Sequence, residues 1–320
     1  MADTPLTPTD RPAGVDAYLR MEKAHYAALV GRSAYGDEAF ATRDDDELVV
    51  GSYVSHEAYD YERFLIGGLS RKPGAVALDY GCGPGRMVKR MARHFSRVDG
   101  VDISPDVIAV AARRCADIQP APRFFVTPGD SVPTAAGNDY DFAFSVICLQ
   151  HICVYSIRRR ILASLFEALK PGGVLSFQMG YGPGHPNMVD YEQDFVDANA
   201  TNGVIDAGVL HPGEIAADLQ SIGFTRMAFA LTPAGPGDKH GAWIFVRAVK
   251  PGQEALLGHT DPSYWTPYGF TTLAVDDLAV QHARRTQRQH GVLGRRRQLH
   301  HRVAALEHTL AAARAALVNA

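Results

Sequence analysis

From residue 76 onward, apolar positions come in short runs separated by stretches with helical spacing. Runs at 76–80, 98–102, 123–127, 140–147 and 174–179 predict buried strands. Segments 86–95, 105–115 and 156–169 between them predict helices. This alternation predicts an α/β fold with a doubly wound, mainly parallel sheet. The last of these helices meets Lys170-Pro171-Gly172-Gly173, which should end it and turn the chain into the fifth strand. Further on, 212–222 reads as a helix, and 224–231 and 242–249 read as strands. Pro233-Ala234-Gly235-Pro236-Gly237-Asp238 separates those strands and predicts an antiparallel hairpin at one sheet edge.

The flanks are patterned differently. Residues 1–14 hold three prolines and read as a tail, whereas Val15, Leu19, Ala24 and Ala28 give 15–30 a helical spacing. A second helix is expected over 56–69, ending at Lys72-Pro73-Gly74. At the far end Leu299, Val303, Leu306, Leu310, Ala313 and Leu317 form an a/d seam, which predicts an amphipathic or coiled-coil helix and a homo-oligomer formed through it. The expected organisation is an N-terminal tail and helical cap (1–74), a central domain (75–250) and a basic helical extension (251–320). Within the central domain, glycine-rich and polar 181–211 reads as a lid over an acceptor.

Charge sharpens this division. The net charge is −3, yet residues 281–320 contain eight Arg, no Lys and one acid, so that segment carries about +7 and the rest about −10. A hydrophobic share of 46% with no run near the ~20 residues of a bilayer span predicts a cytoplasmic globular protein with no membrane span. The four cysteines show no disulfide-like framework. Cys148, His151 and Cys153 lie within six residues, but no fourth ligand follows at a familiar spacing. They read as two buried thiols beside a histidine, and no metal is expected.

The chemistry starts at Ala77-Leu78-Asp79-Tyr80-Gly81-Cys82-Gly83-Pro84-Gly85-Arg86, where a strand runs into a glycine-rich loop and then a helix. Glycines let backbone approach a ligand, and the N–H groups of the next helix point into the same crevice. A dinucleotide fingerprint would need a third glycine where Arg86 stands, and no Gly-Lys-Ser/Thr follows for a phosphate loop. Asp102 closes the next strand, spaced to meet the two hydroxyls of a ribose.

The Asp-x-Gly-x-Gly-x-Gly string is similar to the cofactor loop of class I S-adenosylmethionine (SAM)-dependent methyltransferases. Pro128-Gly129-Asp130-Ser131, Tyr140-Asp141-Phe142-Ala143-Phe144-Ser145 and Leu169-Lys170-Pro171-Gly172-Gly173 resemble further segments of that superfamily, in its order. The resemblance covers about 76–249 and implies a Rossmann-like fold, SAM as cofactor and S-adenosylhomocysteine (SAH) as product. It also implies roles for residues. Asp79 would order the loop of Gly81, Gly83 and Gly85 and meet the SAM amino group. Asp102 would take the ribose, with Ile103 beside it, and Asp130, with Ser131, would meet the adenine amino group. Ser145, at the end of the fourth-strand segment, is expected among the cofactor-binding residues. Arg86 has two readings, an anchor for the SAM carboxylate or an anionic acceptor, and an ordinary surface arginine.

The acceptor is read from the segment after the fourth strand. Amine methyltransferases acting on nucleobases carry Asn/Asp-Pro-Pro-aromatic there, whereas this chain has Ser145-Val146-Ile147-Cys148 followed by Leu149-Gln150-His151-Ile152. That segment resembles small-molecule and sugar methyltransferases, which implies a small-molecule or glycan acceptor and argues against nucleic acid. His151 is the leading candidate base for a hydroxyl acceptor. Tyr181 and His185 in the lid are further catalytic candidates, with Asp190, Tyr191 and His211 nearby. N-methylation of an amino sugar is the nearest alternative. RNA methylation gripped by the C-terminal arginines and an assembly role for a degenerate domain are the others.

Overall fold

The computed structural model describes residues 14–30, 61–69, 72–182, 189–191, 206–234, 240–252 and 271–273. His185, the arginine cluster and the heptad seam lie outside the described residues, as do 56–60 of the expected second helix.

Strands β1 (Val76–Tyr80), β2 (Arg97–Asp102), β3 (Phe124–Val126), β4 (Tyr140–Ser145) and β5 (Leu169–Tyr181) form the parallel part of the sheet. Short β6 (Val189–Asp190) and β7 (Ala207–Val209) follow, then β8 (Arg226–Pro233), β9 (Ala242–Val249) and β10 (Thr271–Leu273). The order across the sheet is β3-β2-β1-β4-β5-β9-β8-β10. Strand β9 runs antiparallel to β5, β8 antiparallel to β9, and β10 antiparallel to β8. The expected hairpin is therefore present, and the 271–273 segment extends the same edge.

The chain moves outward from β1 to β3, then crosses back to β4 on the other side of β1. This reversal leaves a crevice at the carboxyl ends of β1 and β4, where open α/β sheets bind ligands. Helices α1 (Val15–Leu29), α2 (Tyr61–Ile66), α3 (Arg86–Met91), α4 (Pro105–Arg114), α5 (Tyr155–Ala168) and α6 (Gly213–Ile222) accompany the sheet. Ser104 caps α4 through its Oγ, which accepts from the Val107 N–H at 3.4 Å, and Pro105 occupies the first turn.

The sheet is apolar on both faces, as its near-continuous hydrophobic runs require. Leu78, Ala143, Leu175 and Phe177 pack with α1, α5 and α6 on one face. Ala77, Phe142, Phe144 and Phe245 pack with α2 and α3 on the other. Register is pinned by buried carboxylates. Asp141 Oδ2 accepts from the Val76 N–H (2.9 Å) and Lys170 Nζ (3.0 Å), tying β1 and β5 to β4. Asp99 accepts from Arg97 (3.0 Å), Arg123 (2.6 Å) and the Tyr140 hydroxyl (2.9 Å), tying β2 to β3 and β4.

Several extents differ from the sequence pattern: the helix after the glycine loop ends at Met91 rather than 95, the fourth strand at Ser145 rather than 147, and β8 runs Arg226–Pro233 rather than 224–231. Strand β5 begins at Leu169 rather than 174, because Leu169 pairs with Tyr140 and a register shift follows before Phe142. The Pro-Gly-Gly run is absorbed as that irregularity while Gly172 and Gly173 bond to Lys250. The segment expected as a lid starts and ends in the sheet. Gly180 and Tyr181 pair with Gly208 and Val209 of β7.

Candidate functional site

A cleft with about 670 Å³ of empty space, its open mouth included, lies at the carboxyl ends of β1, β2, β3 and β4 under α1. Tyr80, Gly81, Gly83, Asp102, Ile103, Thr127 and Gly129 line it from the sheet. Ile147, Cys148 and Ile152 line it from the loop after β4, and Tyr18, Leu19, Glu22 and Tyr26 from α1.

The glycine loop shows why its residues are small. Gly81 has φ +76°, and a Cβ placed there would stand 2.2 Å from the Cys148 Sγ. Both backbone conformation and space exclude a side chain. Asp102 then organises the loop from the next strand. Its Oδ2 accepts from the Gly83 N–H and its Oδ1 from the Ser104 N–H, each at 3.0 Å. Burial raises the Asp102 pKa, against the pull of the Ser104, Gly83 and Ile103 amides. Asp79 lies deeper, where burial and the Asp102 charge hold its carboxyl well above the usual range and the Arg86 charge opposes them.

Other expected cofactor residues are positioned variously. Ile103 lines the cleft, together with Val107 and Gly129. Asp130 is not among the residues lining the cleft and pairs with Arg160 Nε at 3.1 Å. The Ser131 carbonyl accepts from Thr127 Oγ1, and Ser145 Oγ donates to the Tyr80 carbonyl at 2.8 Å, holding β4 to the start of the glycine loop. Gly85 caps the N-terminus of α3 with φ +83°.

In the loop after β4, Leu149–His151 forms one 3-10 turn. His151 Nδ1 lies 2.6 Å from Asp206 Oδ1, whose side chain is 4% exposed. Asp206 directly precedes β7, so the pairing of β7 with β5 delivers this carboxylate to the histidine. The Tyr18 hydroxyl accepts from the Cys153 N–H (2.9 Å) and donates to the His151 carbonyl (3.3 Å), which fastens α1 to the same loop. The buried Arg158 guanidinium donates to the Ile152 and Tyr191 carbonyls and lies over the Tyr191 ring at 4.7 Å. Ile147, at φ +49°, is a β-branched residue in the left-handed region at the cleft wall. Such strain costs about 1–3 kcal/mol and gathers at functional sites.

Tyr181 ends β5. The His211 Nδ1 accepts from the Gly213 N–H at 3.0 Å, at the start of α6. Cys153 packs into the core with its thiol pushed up to about 12 by burial.

Glu22, Tyr26 and Asp206 are site residues the sequence reading does not anticipate. One signal existed for the first two. Val15, Tyr18, Leu19, Glu22 and Tyr26 share one helical face, so a carboxylate falls on the stripe that should be apolar. Asp206 has no local signal, since it lies in a polar, glycine-rich stretch.

Residues 77–173 match a family model described as a methyltransferase domain. Over that stretch the chain carries a methyltransferase domain. It is 28% identical over 151 residues to phosphoethanolamine N-methyltransferase 2 of Caenorhabditis elegans, covering 47% of this chain and 34% of that protein. It is 33% identical over 172 residues to an uncharacterized 37.1 kDa protein in transposon TN4556 of Streptomyces fradiae, covering 51% and 46%. A solved structure of Haemonchus contortus phosphoethanolamine N-methyltransferase 2 with SAM superposes with a TM-score of 0.46 at 19% identity, covering 71% of this chain and 60% of that one. The chain thus spans less than half the length of either curated relative. Its match to the family model begins inside β1 and ends in the Pro-Gly-Gly irregularity of β5, so it contains the glycine loop, Asp102 and His151. Glu22 and Asp206 lie outside it.

The site fits SAM. A glycine cradle that a Cβ would fill, a buried carboxylate at the next strand end and an apolar slot at Ile103 and Val107 suit an adenosine and its ribose. Among the described residues, no helix is long and apolar enough to cross a membrane.

Proposed function

We propose that this protein transfers the methyl group of SAM to a hydroxyl of a small molecule or sugar unit in a biosynthetic pathway, with His151 as the base. SAM supplies, when bound, a methyl group on a good leaving group. The chain's own task is then to position donor and acceptor and to receive the acceptor's proton. Gly81, Gly83, Asp102 and Ile103 would hold the cofactor, and Tyr181 would border the acceptor from the end of β5.

The contact that carries the reading is the 2.6 Å approach of Asp206 to His151 Nδ1. A carboxylate there selects the tautomer with the proton on Nδ1 and leaves Nε2 free to accept a proton. It also stabilises the imidazolium formed on transfer. An amine acceptor needs only to arrive unprotonated, so an oriented base favours the hydroxyl.

Curated relatives act on acceptors as different as phosphoethanolamine, by name an N-methyltransferase, and a malonylated acyl-carrier protein, by name an O-methyltransferase. Methyl transfer is common to these names. The test is incubation with SAM carrying a labelled methyl group and separate small-molecule, glycan and RNA extracts. Label in the first two supports the reading. Label in RNA alone overturns it and points to the C-terminal arginines as the substrate grip.

A further inference from the structure

Two carboxylates line the cleft, Asp102 and Glu22, and no Lys or Arg is among its described lining residues. Asp102 already belongs to the cofactor wall, since it accepts from the glycine loop and the head of α4. Glu22 stands on α1, one turn beyond Tyr18 and one turn before Tyr26, and both tyrosines line the same cleft. Its charge is coupled to that of His151, the base assigned above.

A carboxylate in a cleft without cations is poorly served by neutral or anionic guests. A hydroxyl offers it one hydrogen bond, a phosphate or carboxylate repels it, and an ammonium restores its charged form with a charge-assisted bond. Tyrosine faces beside it would add cation–π attraction. Resting on the methyltransferase reading above, we propose that the acceptor carries a protonated nitrogen and that Glu22 is the specificity residue that receives it.

The ionisation of Glu22 agrees with this role. Burial pushes its pKa up to about 7, while His151 and the Tyr18 hydroxyl pull it down. The titratable groups facing it are Tyr18, His151, Cys148 and Cys153, with Asp102 and Tyr26 sharing the cleft. An ammonium guest should therefore bind better at pH 8 than at pH 6, as Glu22 becomes charged.

The full chain saturated with SAH is titrated at both pH values with tyramine and benzylamine and with their neutral counterparts, tyrosol and benzyl alcohol. Binding is followed by calorimetry and ligand-observed NMR. The expected result is at least tenfold tighter binding of each amine at pH 8, a smaller preference at pH 6, and none in Glu22→Gln. Equal affinities within each pair, no binding of either member, or a preference that survives in Glu22→Gln overturns the inference. So does Glu22→Gln weakening SAH as much as the amines, since Glu22 would then serve the cofactor. Failure of the wild-type protein to bind SAH overturns the methyltransferase reading itself, and the amine inference with it.

Discussion

The imidazole of His151 and the carboxylate of Asp206 stand 2.6 Å apart across 55 residues of sequence. Three elements create that contact: the 3-10 turn after β4, the parallel pairing of β7 with β5, and the Tyr18 hydroxyl bracing the turn from α1.

If His151 is the base and Asp206 its orienting partner, His151→Ala should lower kcat by about 10²–10⁴, the usual worth of a positioned base. Asp206→Asn should lower kcat in the same direction by selecting the wrong tautomer. SAH affinity should hold in both variants, because neither residue lines the cofactor wall. Kinetics paired with SAH calorimetry checks this, and a loss confined to SAH binding would contradict the assignment.

Gly81→Ala should both strain the left-handed backbone and drive a methyl into the Cys148 sulfur. A destabilisation of about 1–3 kcal/mol is expected for such a position. Adding Cys148→Ala should return part of it, with a coupling of about 0.5–3 kcal/mol for residues in contact. Urea denaturation of the two single variants and the double variant measures that coupling, and strict additivity would mean that backbone strain alone matters.

Asp102→Ala should weaken SAH binding by about 1.5–3 kcal/mol, the worth of a charge-assisted hydrogen bond. The Gly83 N–H would also lose its acceptor. Calorimetry is the measurement, and unchanged affinity would remove Asp102 from the cofactor site.

Glu22 predicts a pH dependence of folding whose sign follows from its raised pKa. Its folded-state value near 7, against 4.5 for an ordinary glutamate, means that the folded state holds the proton more tightly than the unfolded one. The proton therefore favours folding at low pH, and this contribution is lost as pH rises from about 4.5 to about 7. Glu22→Gln keeps a neutral side chain throughout, so its Tm relative to wild type should rise between pH 5 and pH 7.5. Thermal melts of both proteins at the two pH values test the sign.

The sequence by itself determined the architecture and placed the glycine loop and Asp102 together at the carboxyl end of the sheet, where they line the cleft. Alternating runs and helical spacings specify a parallel sheet because a strand buried on both faces must be continuously apolar, and a crossover helix must bury one stripe. The glycine loop and Asp102 were legible because they are local. They lie within one strand–loop–helix unit and the strand after it, and their spacing is set by backbone geometry. The early start of β5 was not legible, since Pro-Gly-Gly reads as a break until a neighbouring strand supplies the register for a bulge. Asp130 illustrates the same limit from the polar side. Its position in sequence suited the adenine, and only the packing of α5 revealed Arg160 as its partner. Of the proposed acceptor half, His151 was legible from the segment after β4, while Glu22 and Asp206 were brought to it by tertiary structure alone. Glu22, His151 and Asp206 come from a helix before the sheet, a turn within it and a residue leading into β7. A pattern along the chain reports which face of an element is buried; it carries no information about which distant side chain will share that burial.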